Sequence, residues 1–137
     1  MKQSAELREH ILSLVNRSTE TADQTPFSQF SQEEGVLAIG TDPNEWLAGF
    51  EALSKVSGTE SDLAFIDCNP QAYSEGNVGW AADQCKLKFP DGKVVPIRVT
   101  GVFHKEAGEW KVVQQHVSIG VPNEQIFDYA LPSVDEG

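Results

Sequence analysis

The stretch "NVGWAADQCKLKFPDGKVVPIRVTGVFHKEAGEWKVVQQHVSIG", residues 77–120, decides the fold. Apolar and polar residues alternate with period two through three segments, 77–89, 94–105 and 109–120. Pro90, Asp91 and Gly92 form a turn signal between the first two, and residues 106–108 turn the chain again. Two hairpins in series make a meander of long antiparallel strands. On the last strand, Trp110, Val112, Gln114, His116 and Ser118 share one parity. Lys111, Val113, Gln115, Val117 and Ile119 share the other. If the first set faces inward, it either lines a pocket or forms a core with a few paired polar groups.

Upstream, SDLAFIDCN (61–69) reads as another strand, and GVLAIG (35–40) as a short buried one bounded by glycines. Between them, TDPNEWLAGFEALSKV reads as a helix. Asp42 is its cap, Pro43 occupies its first position and Glu45 completes a capping box. Trp46, Leu47, Phe50 and Leu53 then recur at helical spacing. Residues 5–17 place Leu7, Ile11, Leu14 and Val15 on one stripe, the mark of an amphipathic helix, with His10 at its boundary. In the polar segment 18–34, Pro26 interrupts the first helix, and Phe27 and Phe30 suit one helical turn against the core. PNEQIF forms one more turn before an acidic tail. Helices followed by a run of about four strands argue α+β. The long twisted antiparallel sheet is expected to wrap around the N-terminal helices as a cone with a mouth. A single domain spans 1–137, with its core at about 5–127 and the tail at 128–137.

The balance of 10 Lys+Arg against 21 Asp+Glu gives a net charge of −11. That field repels phosphate backbones and anionic lipid, so neither nucleic acid nor a membrane is an expected partner. No stretch has the apolar length of a membrane span, and MKQSAELREH lacks the apolar centre of a secretory leader. Cys68 and Cys85 are too few for a disulfide framework, which fits reduced thiols in the cytoplasm. Both read as small buried hydrophobes. Without neighbouring histidines they do not spell a zinc site, and no metal is expected. The chain contains no G-x-S-x-G, Walker loop, H-E-x-x-H, C-x-x-C or Rossmann glycine run, so no cofactor is implied.

Four stretches carry a resemblance: G-T-D-P-x-E-W-x-x-G at 40–49, GWAAD at 79–83, R-x-T-x-V at 98–102, and WKVVQQHVS at 110–118 leading into GVPNE. With this order of elements the chain resembles the SnoaL-like branch of the nuclear transport factor 2-like superfamily over most of residues 5–127. The resemblance implies a curved sheet with helices in its concave face and an apolar cavity at the open end. It also implies a homodimer formed through the convex face, where Val113, Val117 and Ile119 would lie. Such proteins include polyketide cyclases, ketosteroid isomerases and association modules without chemistry, so fold does not settle function.

His116 is the candidate proton carrier, because a histidine titrates near neutral pH. The competing reading is a buried histidine with a bonded partner. Arg98 and Thr100 share parity with Val102 and His104 on the neighbouring strand. Arg98 suits a substrate carboxylate, or alternatively an internal ion pair; His104 beside the turn suits solvent. With Trp46, Trp80, Trp110, Gln114 and Ser118, these residues form the expected cavity wall. Asp83 sits at the opposite parity from Trp80; with Trp80 inside, Asp83 faces outward or a dimer interface and is set aside as a catalyst. Asp67 and Tyr73, near the end of the 61–69 strand, are lesser candidates, against the reading that polar loops commonly carry both. The expected function is binding of a small apolar molecule. The alternatives are acid–base isomerase, cyclase or lyase chemistry on an apolar carbonyl compound, and a dimeric association module.

Overall fold

The computed structural model describes residues 1–15, 29–55 and 63–132. Strand β1 (Lys2–Gln3) leads into helix α1 (Ala5–Val15). Ser4 caps α1, its hydroxyl accepting the Leu7 N–H at 3.1 Å. Next come β2 (Leu37–Ile39), β3 (Trp46–Ala48) and the short α2 (Phe50–Ser54). Strands β4 (Ala64–Ile66), β5 (Gln71–Glu75), β6 (Val78–Lys88), β7 (Val94–Glu106) and β8 (Glu109–Ser118) follow. A 3₁₀ helix, Asn123–Tyr129, succeeds β8 where PNEQIF suggested a turn. The strands form one eight-stranded sheet ordered β1-β5-β6-β7-β8-β2-β3, with β4 also on β6. Its pairings are antiparallel except for the parallel β2–β8 contact. This is the expected α+β architecture, with an open curved sheet and α1 against one face.

The core explains that packing. Leu7 on α1 is fully buried and meets Ala72, Ala81, Phe103, Trp110 and Val112 from the sheet. A second cluster joins Val36 and Leu53, with Phe30 packed against both. A Cβ at Gly79 would stand 2.7 Å from Leu7 Cδ2, so glycine lets the helix sit this close to β6.

Two expectations are corrected. The helix expected from Asp42 onward begins only at Phe50. Asp42 instead closes a turn, its carboxylate accepting the Asn44 N–H at 2.8 Å, and Trp46–Ala48 pair with Ile39–Leu37 as a strand. Sheet pairing outweighs the local capping signal, and Gly49, at φ 92°, separates the strand from the helix. The second correction concerns β8. Phe103 pairs with Val112 but Val102 pairs with Gln114, leaving Val113 as an extra residue. This β-bulge reverses the strand's parity. Trp110 and Val112 point to the core, whereas Gln114, His116 and Ser118 share the opposite face with Val102, Thr100 and Arg98. Val117 therefore lies on the helix side. The expected turn at Phe27 falls outside the described residues; Phe30 forms a parallel bridge with Val112.

Candidate functional site

Cross-strand registers collect most of the sequence-derived candidates on the convex face. One rung runs Tyr73, Trp80, Val102, Gln114, Leu37 and Ala48. The next runs Gln71, Ala82, Thr100, His116, Ile39 and Trp46, and a third joins Gln84, Arg98 and Ser118. Trp46, Trp80, Arg98, Thr100, Gln114, His116 and Ser118 thus lie on the face away from the helices, not on a cavity wall inside the cone as expected. The bulge turns the distal half of β8 over and Trp80 shares the outward parity of β6; Trp110 alone faces the core. The His116 side chain is exposed, and its imidazole has no hydrogen-bond or ion-pair partner among the described residues. Tyr73 lies not in a loop but on β5, where cross-strand pairing stacks it on Trp80 with ring centroids 4.9 Å apart. His104, expected in solvent, is half-exposed, its Nδ1 3.0 Å from Glu106 Oε2. The Glu106 carboxyl is held below its ordinary range by the buried Ser31 hydroxyl and by His104.

Arg98 borders a pocket of about 370 Å³ at the β6–β7 end of the convex face. Gln84, Lys86, Pro96, Asp67 and Gly120 border this open depression, and it backs onto Cys85 and Ile97. Lys86 is engaged with Asp67 at 3.0 Å. Arg98 has no ion pair among the described residues, so the internal pair considered for it is not formed there. An exposed guanidinium of this kind offers a planar fork to a carboxylate.

A second cleft, of about 700 Å³, separates α1 from the β7–β8 turn and reaches Trp110. The Trp110 indole donates to Glu6 at 3.0 Å, and Lys105 lies 5.5 Å from its ring centre. Lys105 also pairs with Glu6 and, with Trp110 assisting, keeps that carboxyl below its usual range. His10 borders the same cleft with a buried Nε2 lacking a partner among the described residues.

The concave face carries the groups that parity reasoning put elsewhere. Asp83 is cross-strand from Val99 and two residues from Cys85, which is buried beside Ile97. The expectation that Trp80 faces inward and Asp83 outward is reversed, because Ala81 and Gly79 take the places under Leu7. Asp83 accepts the Asn69 N–H at 2.8 Å. Burial pushes the Cys85 thiol up to about 12 and the Cys68 thiol upward as well, so neither is a reactive thiolate at neutral pH.

An open sheet curved around an N-terminal helix is the architecture of nuclear transport factor 2-like proteins, and solved structures of that kind superpose on this chain. An NTF2-like protein of unknown function from Pseudomonas putida KT2440 matches with a TM-score of 0.63 and 14% identity over 88% of each chain. A protein of unknown function with a cystatin-like fold from Nostoc punctiforme matches with a TM-score of 0.67 and 13% identity, over 88% of this chain and 96% of that one. An NTF2-like protein from Novosphingobium aromaticivorans gives 0.59 and 12%, over 83% and 79%. The sequence matches the SnoaL-like domain over residues 9–122, and the chain belongs to that family. No curated protein matches it.

Proposed function

We propose that the chain binds a small, largely apolar carboxylic acid, with Arg98 holding the carboxylate. The supporting observation is a guanidinium without an ion pair among the described residues, at the edge of a pocket of about 370 Å³. That volume falls in the usual range for small-molecule sites, roughly 300–1,000 Å³. Pro96 supplies an apolar wall and Gln84 a polar contact. The proposed setting is the cytoplasm, where Cys68 and Cys85 stay reduced. Hexanoate, with hexanol as its neutral counterpart, tests the reading by ligand-observed NMR. Hexanoate should bind and hexanol should not. Arg98→Gln should weaken hexanoate about tenfold or more, the worth of a charge-assisted hydrogen bond. Equal binding to that variant, or equal binding of hexanol, would sink the proposal.

A second reading, homodimerisation through the convex face, is favoured by its exposed aromatic belt. Trp80 is 37% exposed with Val78 at 47% beside it, and Trp46, 65% exposed, stands on β3 across the same face. Apolar surface gathered on one sheet face invites a partner, and a second copy supplies the same belt. A monomer mass by light scattering at micromolar concentration would count against this reading.

A further inference from the structure

We infer that Cys68, Asp83 and Cys85 form a binding site for a thiophilic divalent cation of the zinc class. One ligand atom from each, two sulfurs and a carboxylate oxygen, lies within 4.8 Å of the others. Around tetrahedral zinc, with Zn–S near 2.3 Å, two sulfurs stand about 3.8 Å apart. The cluster therefore closes on an ion through side-chain shifts of about 1 Å.

The backbone explains why these residues meet. Asp83 and Cys85 are alternate residues of β6 and point to the same face. Strands β4 and β5 both lie along one edge of β6: Ile66 pairs with Lys86 and Gln71 with Ala82. Four residues, 67–70, therefore span a gap of only three, 83–85. This one-residue excess is a bulge-like excursion, a device that re-aims a side chain. Asp67 takes φ 56° within it and is tied to Lys86 at 3.0 Å, while Asn69 N–H is tied to Asp83. Cys68, between those two anchors, is brought onto Cys85. Neither the 68/85 spacing nor the absence of histidine nearby reveals this arrangement in the sequence.

The donor set selects the metal. Two sulfurs exclude magnesium and calcium, which take oxygen ligands, and favour zinc-class ions. Three protein donors leave one of zinc's four positions for water or a heteroatom of a bound molecule. Cys68 and Asp83 are only partly buried, so the ion can enter. Binding releases the two thiol protons as the metal–sulfur bonds form. The assignment is independent of the Arg98 reading, since it requires no organic ligand.

The test is a cobalt(II) titration of the metal-free chain under a non-thiol reductant. One equivalent should produce thiolate-to-cobalt charge transfer in the near ultraviolet with tetrahedral d–d bands, and zinc should abolish both. Cys68→Ser, at a partly buried position, should lose about half of the charge transfer while retaining the wild-type circular dichroism. Asp83→Asn should weaken cobalt about tenfold or more. Losing an outer-shell partner already costs 10- to 100-fold, and a direct donor should cost no less. Absence of charge transfer in the reduced wild type, or a Cys68→Ser titration identical to wild type, would overturn the assignment. Hexanoate binding is read separately, so either reading can fail alone.

Discussion

His10 shows how one misfit side chain sets a pH dependence. Burial disfavours its imidazolium and lowers its pKa from the ordinary 6.5, against the pull of Glu109 and Glu6 and with the push of Lys111. Between the lowered folded value and 6.5, the unfolded chain binds more protons than the folded one. This contribution to stability is complete above 6.5 and is lost as pH falls through that window. Urea unfolding at stepped pH should therefore show stability declining on acidification below 6.5, and His10→Gln should flatten that part of the curve. An unchanged slope in the variant would assign the decline to other groups. The helical stripe placed His10 at a boundary, but only the packing of α1 against the Trp110 strand accounts for its buried nitrogen.

At the scale of elements, α1 is held to the sheet through Leu7. Leu7→Ala should cost about 2–5 kcal/mol in denaturant unfolding, the range for emptying a buried leucine site. A cost below about 1 kcal/mol would mean that the helix is anchored elsewhere. The long elements were legible because their patterns are long. Period two runs through β6 and β7, and the spacing of Leu7 and Ile11 is enough to mark the helix face. The short strands β1 and β5 escaped because two to five residues carry too little pattern, and two further features escaped for other reasons. A bulge leaves no mark on an alternating pattern, since Val113 is as apolar as Val112 and either could be the extra residue. Trp46–Ala48 obey helical spacing and a capping signal, yet pairing with β2 claims them for the sheet. The candidate site inherited the first error: Trp110 and His116 share parity but not a face. The second cost less, because Trp46 still joined the convex belt through its register with Ile39.

At the scale of the molecule, the sheet divides its duties between two faces. One is covered by α1 and α2; the other displays the aromatic belt, Arg98 and His116. If that belt joins two copies, Trp80→Glu should shift the chain toward monomer by sedimentation velocity, because a carboxylate would be forced against the partner's apolar surface. The same substitution should leave unfolding stability within about 1 kcal/mol if Trp80 serves only the surface in each copy. An unchanged sedimentation coefficient would remove Trp80 from any interface. The extra residue in β8 carries a wider consequence. It acts as a frame change within a repeating text: before Val113 the even-numbered residues of β8 face the interior, and after it the odd-numbered ones do. The two halves of one strand can therefore diverge under separate pressures. A single deletion at that point would exchange inside for outside along the whole distal half without altering another letter.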